Sequence, residues 1–271
     1  MKKTILMSLA TLLITFQMAV AQKKENRNVG SFDKLSFGVP GKLYLKQGNT
    51  TQVVLEGDPD VLDKVETEVS GGRLVIRAKD KWFKWNWGNQ KITAYVTMKD
   101  IRELGVGGSG SLIAEGRITS NSISLKVGGS GDLTIEMEAN GEMEADVSGS
   151  GNMDVKGRSK GLKSNVSGSG KVRLSVNVNG DASFGISGSG KIEASGSANK
   201  VRTSISGSGK LMGADFNTNT CDVRISGSGN VEIGVKEELD ANISGSGSVA
   251  YRGNPNKINS HSSGSGKVRK M

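Results

Sequence analysis

Val166-Ser167-Gly168-Ser169-Gly170-Lys171-Val172-Arg173-Leu174-Ser175-Val176-Asn177-Val178, continued by Asn179-Gly180-Asp181-Ala182-Ser183-Phe184-Gly185-Ile186, holds one full period of a repeat. Val172, Leu174, Val176 and Val178 alternate with polar residues, as do Ala182, Phe184 and Ile186, which is the period of two expected of half-buried strands. Gly-Ser-Gly at one end and Asn179-Gly180 in the middle supply residues that tolerate the backbone of tight corners. The period reads strand, corner, strand, corner.

Working outward from this stretch, Gly-Ser-Gly occurs nine times, centred on Ser109, Ser130, Ser150, Ser169, Ser189, Ser208, Ser228, Ser246 and Ser265, with spacings of 18 to 21 residues. Three residues after each serine stand Leu112, Leu133, Met153, Val172, Ile192, Leu211, Val231, Val249 and Val268. Three residues before stand Val106, Val127, Val147, Val166, Ile186, Ile205, Ile225 and Ile243, and only the last copy departs, with Ser262. β-Branched columns of this kind mark strands. A second corner falls between motifs at Asn121, Asn140, Asn179, Asn199, Asn219 and Asn256.

Two all-β architectures satisfy the pattern: a single-stranded parallel β-helix, or β-solenoid, of about 20-residue coils, and an antiparallel β meander with a hairpin at each Asn-Gly. The charges separate them, because a solenoid sets equal repeat positions side by side. Equal offsets then place Glu136 beside Lys156, Glu138 beside Arg158 and Glu144 beside Lys163. Facing pairs of opposite sign contribute roughly 0.2–1 kcal/mol each, enough to favour one register. The solenoid is the expected fold, with the motif serines expected to form hydrogen-bonded ladders from coil to coil.

Outside the repeats, residues 1–21 read as a cleaved signal peptide: Lys2 and Lys3 precede an apolar run that closes on Ala19-Val20-Ala21. No later segment is apolar enough to span a bilayer. A lipoprotein would carry a cysteine after the cleavage point, and the single cysteine is Cys221. Residues 22–105 read as wider N-terminal coils and a cap, with Val69 to Leu74 as a degenerate corner and Asp58-Pro59-Asp60 opening one helical turn. Residues 106–271 are the nine Gly-Ser-Gly coils, continuous with the preceding part as one domain. A solenoid needs such caps because an open terminal coil exposes strand edges and apolar interior.

The Ser31-Phe32-Asp33 opening, the Asp58 to Val65 turn and the recurrent Val-Ser-Gly-Ser-Gly corners resemble the auto-transporter adhesin family with the head GIN domain, exported proteins of Bacteroidetes-type bacteria. The resemblance spans nearly all of the chain after residue 21. It implies a single-chain parallel β-helix with an adhesin-like role and carries no catalytic residues. An auto-transporter ends in a membrane barrel of alternating ~10-residue strands, whereas here the corner motif recurs up to Gly266, so the family name is not read as a mechanism.

Composition narrows the function classes. The formal charge of +9 becomes +7 once Lys2 and Lys3 leave with the signal, a balance suited to anionic glycans or headgroups. One cysteine permits no internal disulfide. Three tryptophans fall within Trp82, Phe83, Trp85 and Trp87, an aromatic loop suited to stacking on sugar rings. Lys171, Lys191 and Lys210 recur at one repeat position as a basic stripe. Asp132 precedes them in that column, and the lysines exclude a calcium roll.

Glu136, Glu138, Glu142, Glu144 and Asp146 share one outward parity, and their basic neighbours give them a structural rather than a metal-binding or hydrolytic role. His261 is the only histidine and sits in the most degenerate repeat, so nucleophilic triads lack a placed base. The reading is an exported, non-enzymatic, adhesin-like binding or envelope-structural module, without cofactor or metal. It would meet a cell-surface glycan, a host or an envelope component, and no specific nucleic acid. A β-helical enzyme acting on acidic polysaccharide and a nonspecific polyanion-binding surface protein are the alternatives.

Overall fold

A computed structural model describes residues 22–79 and 91–271. The described chain is a β-solenoid of about 8 turns spaced about 20 residues apart. Strands running into each Gly-Ser-Gly form one ladder: Glu103–Gly108, Ile123–Gly129, Glu142–Gly149, Gly161–Gly168 and Asp181–Gly188 are its first sequential members. Strands leaving each motif form a second ladder, with Ser111–Ser120, Asp132–Ala139, Asn152–Ser159 and Lys171–Val178. Farther along, Lys191–Gly207, Lys210–Gly227 and Asn230–Gly245 run without interruption through the second corner and so belong to both ladders. Pairing between successive coils is parallel, which excludes the antiparallel meander.

The motif makes this winding possible through its two glycines. Gly168 has φ +111°, and a Cβ there would lie 2.7 Å from the Gly149 carbonyl oxygen of the preceding coil. At Gly170 a Cβ would come within 2.5 Å of Val147 Cγ1. The first glycine supplies left-handed backbone and the second lets the corner close onto the core. Between them, the amide of Ser169 donates to the Gly149 carbonyl at 2.9 Å, and Ser189, Ser208 and Ser228 repeat the bond. The expected serine ladder therefore runs through backbone amides, and the hydroxyls face outward, exposed.

Inside, the aligned columns become the core. Val147, Val166, Ile186, Ile205, Ile225 and Ile243 stack in register, as do Leu133, Met153, Val172, Ile192, Leu211, Val231 and Val249, and all are buried. Burying each such side chain contributes about 1.5–3 kcal/mol. Phe184 and Phe216 meet edge to face across the narrow interior, with centroids 5.4 Å apart at 83°.

At the N-terminal end the spatial order departs from the chain order. Lys34–Phe37 lies between Arg73–Ala78 and Glu103–Gly108, and Gly41–Gln47 lies between Ile92–Met98 and Ser111–Ser120. The first coil in sequence is thus the second in the stack. Three antiparallel pairings close this end: Gln52–Gly57 on Ile92–Met98, Lys23–Asn26 on Gln52–Gly57, and Val65–Ser70 on Arg73–Ala78.

The stretch expected as a coil corner, Val69 to Leu74, is instead a hairpin reversal. Gly71 (φ +57°) and Gly72 (φ +74°) both take the left-handed backbone that a two-residue hairpin turn requires. The helical turn Pro59–Leu62 has Asp58 as its N-cap, whose side chain accepts from the Asp60 amide at 2.9 Å. Its Val61 and Leu62 are buried, bringing apolar cover to the cap.

The other end closes by composition. In Lys257–Ser263, Ser260 and Ser262 stand in register with Ala241 and Ile243, so these two apolar columns finish in hydroxyls, whereas Ile258 and Val268 continue two others. The strand is exposed throughout. Among the described residues no helix is long and apolar enough to cross a membrane.

Candidate binding surfaces

The basic stripe read from the sequence exists as a column: Lys171, Lys191 and Lys210 occupy equal register on consecutive coils of the second ladder. Its charge is unevenly spent. Glu193, two residues past Lys191 on the same face, sits 3.1 Å from Lys171 Nζ and 3.6 Å from Lys191 Nζ. Arg173 also reaches Glu193, at 3.1 Å, and Asp154 at 2.6 Å. Burial pushes the Glu193 carboxyl up, but the hydrogen bond from Lys171 and the fields of Lys171, Lys191 and Arg173 outweigh it and hold it below the usual carboxylate range. Lys171 and Lys191 are therefore partly neutralised, while Lys210 makes no ion pair among the described residues.

Past Lys210 the column continues as Asn230, Ser248 and Lys267. The neighbouring outward column runs Arg173, Glu193, Met212, Glu232, Ala250 and Arg269. Between the two lies a groove of about 450 Å³. Met212 is 41% exposed in it, between Glu193 and Glu232 on the adjoining coils. The lysine column pointed towards this groove, but Met212, Lys267 and Arg269 were missed; continuing both columns into the last coils was the signal that could have found them.

Trp82, Phe83, Trp85 and Trp87 lie outside the described residues.

The acidic group on neighbouring coils is held by ion pairs and hydrogen bonds. Glu138 pairs with Arg158 at 2.5 Å and Glu144 with Lys163 at 3.2 Å, both as their offsets imply. Glu136 stands in register with Lys156 as expected, but forms its ion pair with Arg117 on the preceding coil, at 2.8 Å. A register shift between Thr134 and Glu136 slides Arg117 opposite it. Asn165 Nδ2 donates to Asp146 Oδ1 at 2.8 Å. Among the described residues no group of three or more His, Cys, Asp or Glu side chains is placed to hold a metal.

Cys221 is buried in the core, and desolvation, aided by Asp222, pushes its thiol up to about 12. A thiol held that high is inert as a nucleophile. His261 lies exposed on Lys257–Ser263, the last strand of the first ladder.

The stack of parallel coils with glycine corners defines a class of repetitive β-solenoid proteins. Within it, residues 31–190 and 171–255 match the family described as "Putative auto-transporter adhesin, head GIN domain", and the chain belongs to that family.

Solved structures share the fold. A "Putative lipid binding protein" from Parabacteroides distasonis superposes with a TM-score of 0.68 at 24% identity, covering 92% of this chain and 96% of its own. A "putative adhesin" from Parabacteroides merdae gives 0.66 at 20% identity, with 92% and 96% covered. Another "putative adhesin" from Parabacteroides distasonis gives 0.63 at 19%, with 93% and 98% covered. No curated protein matches the chain.

Proposed function

We propose that this protein is an exported, non-enzymatic, adhesin-like module that presents its long strand faces to a cell-surface or envelope component. The observation that carries the reading is the register that both ladders keep beside the Gly-Ser-Gly motif from coil to coil, with shifts confined to positions farther from it, which turns single outward residues into files along the stack. Such files suit extended, repetitive ligands, which can lie along several coils at once. Export rests on the signal-like residues 1–21, and the names of the family and its structural neighbours agree with a binding role.

A glycan array and a whole-cell binding assay on the chain from residue 22 test the reading, with Trp82→Ala, Trp85→Ala and Trp87→Ala combined as the comparison for the aromatic loop. Saturable binding to a glycan or cell surface is expected, and absence of binding in every format would sink it. Release of oligosaccharides from uronate-containing glycans would favour the enzymatic alternative instead. Protease shaving of intact cells separates an outer-surface location from a periplasmic one.

A further inference from the structure

Uncompensated positive charge accumulates at the C-terminal end of the stack. Residues 241–271 carry five Lys or Arg and no Asp or Glu. Arg252 and Lys257 are engaged, by Asp215 at 2.7 Å and Glu238 at 2.7 Å, and Lys270 donates to Asn254. Lys267 and Arg269 are exposed and, like Lys210, form no ion pair among the described residues. Lys210 and Arg269 line the groove that holds Met212, Asn230, Glu232 and Ser248, and Lys267 stands in register beside Ser248 on the next coil.

We propose that this groove binds an acidic polysaccharide, laid along the stack, with carboxylates at Lys210, Lys267 and Arg269 and sugar hydroxyls at Asn230 and Ser248. The inference rests on the binding-module reading and gives it a ligand class. Along one column the order is Lys210, Asn230, Ser248, Lys267: a cation, two neutral hydrogen-bonding groups, a cation, at a coil-to-coil spacing of about 4.8 Å. Ser248 Oγ donates to Asn230 Oδ1 at 2.6 Å, which fixes the amide and leaves its N–H groups for a ligand oxygen. Met212 supplies an apolar contact for the C–H surface of a sugar.

A polyuronate wound so that every third sugar turns its carboxylate to the stack, with hydroxyls between, matches this order. The uniform phosphates of a nucleic acid would place negative charge over neutral Asn230 and Ser248 and near Glu232. A flat anionic bilayer calls for a broad basic surface rather than a file.

The test is biolayer interferometry of the chain from residue 22, which contains every described strand, on immobilised polygalacturonate. Combining Lys210→Gln, Lys267→Gln and Arg269→Gln is expected to weaken binding at least tenfold. The charge-matched combination Lys160→Gln, Lys200→Gln and Lys236→Gln, set away from the groove, is expected to change it less than twofold. Ser248→Glu, a single change at a half-buried position that adds charge at the centre of the file, is expected to weaken binding comparably, and circular dichroism melts confirm that all variants fold.

Equal losses in both triple variants would overturn the site, since net charge alone would then explain binding. Equal or tighter binding to a short DNA duplex or to phosphatidylglycerol vesicles would overturn the ligand class. Absence of wild-type binding to polygalacturonate would overturn the proposal as a whole, while binding to neutral glycans on the array would leave the broader reading standing.

Discussion

Arg73 and Glu103 form a two-point ion pair across an intervening coil, with Nη1 to Oε1 at 2.7 Å and Nη2 to Oε2 at 3.0 Å. Lys34 stands in register with both, on the strand that separates them. The pair therefore clamps the inserted first coil between its two neighbours. The hydrogen bond to Arg73, then the fields of Arg73 and Lys126, hold the Glu103 carboxyl below its ordinary value in spite of desolvation.

Replacing Glu103 by Gln is expected to cost about 1 kcal/mol, because charge-assisted bonds are strong but the arginine is partly open to solvent screening. A carboxylate with a depressed folded pKa contributes stability that is fully present above its unfolded value of 4.5 and lost as pH falls through the lower folded value. Thermal melts should therefore show the wild type losing part of its advantage over Glu103→Gln below about pH 4.5. A gap that stays constant down to pH 2 would contradict this.

The motif glycines are predicted to be unequal to glycines elsewhere. Gly170→Ala drives a methyl group against Val147 Cγ1 and should destabilise by about 1–3 kcal/mol, the usual cost of overpacking. Gly30→Ala, with nothing within 4 Å of the new methyl, should be neutral within about 0.5 kcal/mol in urea titrations.

Phe216→Ala removes a fully buried ring and its edge contact with Phe184. A loss of about 3–5 kcal/mol is expected from chemical denaturation. A loss under about 1 kcal/mol would show that the interior collapses to fill the space.

Cys221 should resist maleimide at pH 8 in the folded protein and label fully in denaturant, because burial holds its thiol near 12. Rapid labelling without denaturant would show that the coil around it opens locally.

The coils were legible because parallel stacking repeats one environment at each turn, so a requirement such as the apolar site of Val172 is written again at Ile192 and Leu211. Glu138–Arg158 and Glu144–Lys163 followed from equal offsets for the same reason. The pairing of Glu136 with Arg117 escaped because the local register shift slides Arg117 opposite it. The place of Lys34–Phe37 between strands that come later in the chain escaped too, since no local signal encodes non-sequential pairing. At the candidate site, the lysine column was visible, whereas its neutralisation by Glu193 depends on a neighbouring column two residues along.

The inserted first coil also makes the molecule mechanically lopsided. Among the described residues Lys267–Lys270 pairs with Ser248–Arg252 alone, so traction on the C-terminus can unzip the chain one rung at a time. Traction on the N-terminus, once Lys23–Asn26 is stripped away, must drag residues 34–47 out from between flanking strands in both ladders, loading many hydrogen bonds in shear together. A tether at the N-terminal end would hold under load where one at the other end would unravel.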